Sequence, residues 1–97
     1  MSRLQIAGET SIAKDQILQT VLEAVKTRIM VIKEEIHAID ADLKYFHERY
    51  NFSDEDFLPM FQSGELGDEE EDFFVWEGSL NLWKKLLEEE SRLREVL

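Results

Sequence analysis

Few of the 97 residues are of types that carry chemistry, and their spacing limits what they can do. The chain has no Cys, which excludes a disulfide scaffold, a thiol nucleophile and a cysteine-ligated zinc or iron–sulfur site. Its two histidines, His37 and His47, stand ten residues apart. On one helix they would point about 280° apart, so they neither share a face nor form the i, i+4 pair of a helical zinc site. They read as two unrelated surface side chains. A magnesium cage in a helical nucleotide hydrolase needs carboxylates at i, i+1 and i+4 on two facing helices. Glu34-Glu35 and Glu70-Glu71 each begin that pattern, but Ala38 and Phe74 occupy the third place. No Gly-rich phosphate loop, Ser/His/Asp constellation or EF-hand loop appears. The expectation is a protein that is not an enzyme and takes no metal or cofactor.

The distinctive stretch is Gly64-Glu65-Leu66-Gly67-Asp68-Glu69-Glu70-Glu71-Asp72-Phe73-Phe74-Val75-Trp76, where strong acidity runs straight into aromatics. One reading is a helix start, with carboxylates at the positive dipole end and core aromatics behind them. The other is a partner-binding site made of Leu66, Asp68, Glu69, Glu70, Glu71, Asp72, Phe73, Phe74 and Trp76. There the acidic rim steers a basic partner and the aromatics anchor it. Phe73, Phe74, Val75 and Trp76 are consecutive, so they point all around a helix and cannot all face one seam.

The elements that must position this stretch are helical. Leu18, Leu22, Val25, Ile29, Ile32, Ile36, Ile39, Leu43, Phe46 and Tyr50 recur at alternating intervals of four and three, with no Gly or Pro between them. The pattern predicts a helix over about residues 12–50, capped by Thr10 or Ser11 and roughly 58 Å long. Such a seam, Leu18 through Phe46, needs cover from another helix of this chain or of another copy. Asn51 suits the left-handed turn at a helix end. Ser53 then caps a short helix over residues 54–62, with Asp54, Glu55 and Asp56 in its first turn and a Phe52/Phe57 staple. Pro59 argues that this helix is kinked or irregular. Gly64 and Gly67 suit a turn with positive φ, and Asp68 can cap a last helix over residues 69–97. The expected fold is all-α, a long–short–long elongated antiparallel hairpin that oligomerises into a helical bundle. It forms one domain over residues 1–97, with residues 1–10 as an N-terminal arm.

Charge narrows the partners. The net charge is −11, and residues 51–97 hold fourteen Asp/Glu against four Lys/Arg, whereas residues 1–50 are close to balanced. Direct nucleic-acid binding is disfavoured, since phosphate contacts need clustered cations. A basic protein partner suits the acidic half better. The longest aliphatic run, Ile29-Met30-Val31-Ile32, is too short for a signal-peptide core or a membrane span. These features predict a soluble, cytoplasmic protein that touches no membrane.

Three pieces of the chain carry a family resemblance: Tyr50-Asn51-Phe52-Ser53 through Asp56-Phe57, then Ser63-Gly64-Glu65-Leu66-Gly67-Asp68, then Asp72-Phe73-Phe74-Val75-Trp76. Roughly residues 45–85 resemble the C-terminal part of small helical antitoxins of prokaryotic toxin–antitoxin pairs. That resemblance implies a protein that binds and neutralises a small toxin, often an RNase. Many antitoxins also carry an N-terminal DNA-binding module. This chain departs from that pattern, because residues 1–14 are too few for such a domain and hold only Arg3 and Lys14 as cations. The competing expectation is a self-associating helical scaffold with no inhibitory target.

Overall fold

The computed structural model describes residues 7–97, and their side chains from residue 12 onward. It is all-helical, with α1 over Ala7–Tyr50, α2 over Asp54–Gln62 and α3 over Glu71–Val96. The long–short–long order and the packing of α3 back along α1 are those the heptad spacing predicts. At its start, α1 runs further than the capping residues suggest. Ala7 to Thr10 are helical, so Thr10 and Ser11 lie inside α1 rather than at its end. The rest of the expected arm, residues 1–6, lies outside the described residues.

Each boundary after α1 has a local cause. Asn51 takes the left-handed conformation (φ 58°) and donates its N–H to the His47 carbonyl at 2.9 Å, closing the last turn of α1. Ser53 caps α2 by accepting from the Asp56 N–H at 3.1 Å. Pro59 sits inside α2 without ending it. Both Pro59 and Glu55, whose carbonyl loses its donor, are exposed, so water can take the missing bond. The last helix starts later than expected. Its N-cap is Glu70, not Asp68, and no side chain bonds the free N–H groups there.

The seam of α1 divides into two parts. Ile29, Ile32, Ile39, Leu43 and Phe46 are buried, and Ile36 is half-buried against the same core. Ile32, Ile36, Ile39, Leu43 and Phe46 are covered from within this chain by Phe57 on α2 and by Phe73, Trp76 and Leu86 on α3. This corrects the expectation of an oligomer seam for these residues, because α3 is long enough to cover them without a second copy. Toward the N-terminus the cover runs out. Leu22 and Val25 are half-buried, and Leu18 is 57% exposed. At 1.5 Å per residue α1 is about 66 Å long and α3 about 39 Å, so α1 overhangs its partner. The molecule accordingly measures 68 × 22 × 20 Å. No described helix is long and apolar enough to cross a membrane.

Candidate protein-binding site at the start of α3

The aromatic cluster joins the three helices where the turn begins. Trp76 is fully buried, stacks on Phe57 at 3.9 Å between centroids and lies nearly parallel to Phe46 at 5.5 Å. A buried indole needs an acceptor for its N–H. Trp76 Nε1 donates to Asp54 Oδ1 at 2.9 Å, and His47 Nε2 meets the same oxygen at 2.6 Å. One carboxylate at the start of α2 therefore ties α1 and α3 together. His47 is thus no unattached surface group, whereas His37 is exposed. In sequence Asp54 is one of three carboxylates in the first turn of a short helix, and the signal for its second role is the buried Trp that needs an acceptor.

Four residues assigned to the partner site are occupied inside the chain. Phe73 and Trp76 belong to the core. Asp72 accepts the Tyr50 hydroxyl at 2.6 Å and lies 3.6 Å from Arg49. That hydrogen bond raises the Tyr50 pKa above its ordinary 10.0, because it holds the phenol proton in place. Leu66 is half-buried against the core and pins the turn to it. For Phe73 and Trp76 the cause is that α3 turns its i, i+3 aromatics inward against α1 and α2.

Phe74 points the other way and is 52% exposed. Its ring meets Phe61 of α2 edge-on, with centroids 5.3 Å apart at 87°. Phe61, Gly64, Gly67, Asp68 and Phe74 line a shallow surface groove of about 460 Å³. The turn that forms its wall depends on two left-handed glycines, Gly64 at φ 85° and Gly67 at φ 75°. Gly64 N–H bonds the Phe61 carbonyl at 3.1 Å, and Gly67 N–H bonds the Gly64 carbonyl at 3.1 Å. Asp68, Glu69, Glu70 and Glu71 follow, all exposed. Among the described residues, none of these four carboxylates is in an ion pair or accepts a side-chain hydrogen bond. The result is an exposed aromatic ring in a groove beside uncompensated negative charge. Such a surface attracts cations at a distance and offers one apolar anchor at contact.

Among the described residues, no three His, Asp or Glu side chains converge as a metal set. Compared with family models, curated proteins and solved structures, the chain matches none.

Proposed function

We propose that this chain is a non-enzymatic, antitoxin-like binding protein that holds a small basic protein against the groove at the start of α3. The observation that carries the reading is Phe74, half exposed beside four carboxylates that no cation of the described chain neutralises. A side chain of that size left in water at a helix start gains by being covered. The carboxylates set the kind of partner, and their number favours a cluster of Lys or Arg. The resemblance to antitoxins supports the finer part of the reading, because the resembling segments make up the turn and the helices on either side of it.

The test begins with a pull-down from cells that express the natural gene. The wild-type chain, Phe74→Ala and the triple change Glu69→Gln, Glu70→Gln, Glu71→Gln are immobilised side by side. A basic protein retained by the wild type and depleted by both variants fits the proposal. That protein, expressed alone, should slow growth, and co-expression of the chain should restore it. A retained protein that both variants hold equally well places its site elsewhere. A partner that is harmless alone removes the antitoxin reading and leaves a binding protein of another kind.

A further inference from the structure

A second row of apolar residues runs beside the covered seam. On α1, Ile17, Ala24, Val31, Ala38 and Tyr45 recur every seven residues, and all are exposed. On α3, Val75, Leu82, Glu89 and Val96 recur every seven, and the three apolar members are exposed. A strict seven-residue repeat is the spacing of helices that supercoil around a neighbour. Among the described residues, no helix covers either row.

The two rows flank the same side of the hairpin. Arg28 stands between Ala24 and Val31 on α1, and Glu89 belongs to the α3 row. Arg28 Nε and Nη2 donate to the Glu89 carboxylate at 2.8 and 3.0 Å, and Glu35 approaches the same guanidinium at 3.7 Å. The opposite side belongs to α2. There His47 meets Asp54, and Leu58 sits with Leu80 and Trp83 around a shallow pocket. His47 is two residues from Tyr45 and Leu80 two from Leu82, which is about 200° of helix rotation in each case.

We propose that this open side packs against the same side of a second copy, giving an antiparallel four-helix dimer. Three observations favour a copy over any other occupant. First, the rows are centred at the same height. The α1 row has its midpoint at Val31, three residues after Arg28, and the α3 row has its midpoint three to four residues before Glu89. Arg28 and Glu89 are level across an antiparallel pair, so the two midpoints are level too. A two-fold axis through that level sets Val31 on Val31, Ala24 on Ala38 and Ile17 on Tyr45 of the second copy, so the α1 row matches itself. Second, the surface is larger than a monomer of this mass needs. The accessible area is 7388 Å² at 11.5 kDa. A compact monomer of that mass exposes about 5,800 Å², and a stable interface takes roughly 800 Å² from each partner. Third, Gly78 lies on this side, three residues after Val75 and four before Leu82. Apart from its own helix backbone and chain neighbours, no described atom lies within 4 Å of where its Cβ would be. A mid-helix Gly costs about 1 kcal/mol relative to Ala, and a second helix approaching closely would give it a purpose.

Charge sets the direction. On the open side Arg28 pairs with both Glu35 and Glu89, which leaves these three groups a net charge of −1, small beside that of the acidic turn. The acidic turn at residues 68–72 lies at one end of the hairpin. An antiparallel dimer sends the two turns to opposite ends, far beyond the screening length of about 8 Å. Both grooves of the proposed binding site stay open, so this inference stands or falls apart from that reading.

Sedimentation equilibrium of the purified chain from 1 to 200 µM tests the dimer. The expected result is a species of twice 11.5 kDa at the upper concentrations. Leu82→Glu combined with Val31→Glu should give the monomer mass with unchanged helical circular dichroism, because both sites are exposed in the single chain. A wild-type chain that stays at 11.5 kDa throughout overturns the proposal, as does a dimer that the double variant leaves intact. Orientation is read separately. The chain lacks Cys, so single-Cys variants carry one label each. Val31→Cys should form a covalent dimer with a short bis-maleimide, and Tyr45→Cys should not. A cross-link at position 45, or none at position 31, contradicts the antiparallel arrangement.

Discussion

Asp54 links α1 and α3, because one of its oxygens meets both His47 and Trp76. Asp54→Ala leaves the fully buried Trp76 without an acceptor for its N–H, which costs about 1–3 kcal/mol. Asp54→Asn keeps an acceptor and should lose less. Urea unfolding of both variants checks the order. The Arg28–Glu89 pair makes a different, pH-dependent contribution. Its hydrogen bonds hold the Glu89 carboxyl below the ordinary 4.5, with burial opposing and the guanidinium charge adding to the effect. A depressed carboxyl stabilises the fold above its unfolded value, and that contribution disappears as pH falls through the lower folded value. Glu89→Gln should therefore flatten the loss of stability below about pH 4.5, as followed by thermal melts across an acid series. The effect is small, since both side chains are more than a third exposed and water screens them.

At the level of elements, the turn between α2 and α3 decides where Phe74 and the carboxylates sit. Gly67 has φ 75° and open space around it, so Ala there meets backbone strain rather than a clash. Gly67→Ala should lower stability by about 1–2 kcal/mol. It should also weaken partner binding more than it weakens the fold, because the groove wall moves. Calorimetry and partner binding measured on the same variant separate the two. Periodicity made α1 legible, since the 3, 4 spacing from Leu18 to Tyr50 leaves no other regular structure to fit. Asn51, Ser53, Gly64 and Gly67 could be read as stops and caps because each has a single backbone role. The start of α1 could not be placed that way, because Thr10 and Ser11 are as acceptable within a first turn as at its cap. The start of α3 failed for a related reason. Five acidic residues in a row all suit a positive dipole end, and the one that caps, Glu70, uses no side-chain bond. Within the candidate site, the sequence identified the stretch but not its inward and outward members. Phe73 and Phe74 are equally apolar, and only the position of α2 turns one into core and leaves the other in water.

The whole molecule is a 68 Å rod with its charge at one end. Its core lies where the three helices meet, and roughly the N-terminal third of α1 extends past α3. Such a shape gives two separate surfaces, an acidic end with an aromatic groove and an apolar side along the shaft. Association kinetics probe the acidic end. With the captured basic partner in hand, its association rate to the wild-type chain and to the Glu69→Gln, Glu70→Gln, Glu71→Gln variant is measured from 20 to 500 mM salt. The account predicts a wild-type rate that falls steeply with salt and a variant rate that is slower and nearly flat. Phe74→Ala should leave the association rate alone and raise the dissociation rate by about tenfold or more, the scale of an interface hot spot. Equal association rates for the wild type and the triple variant across the whole salt series would contradict the account.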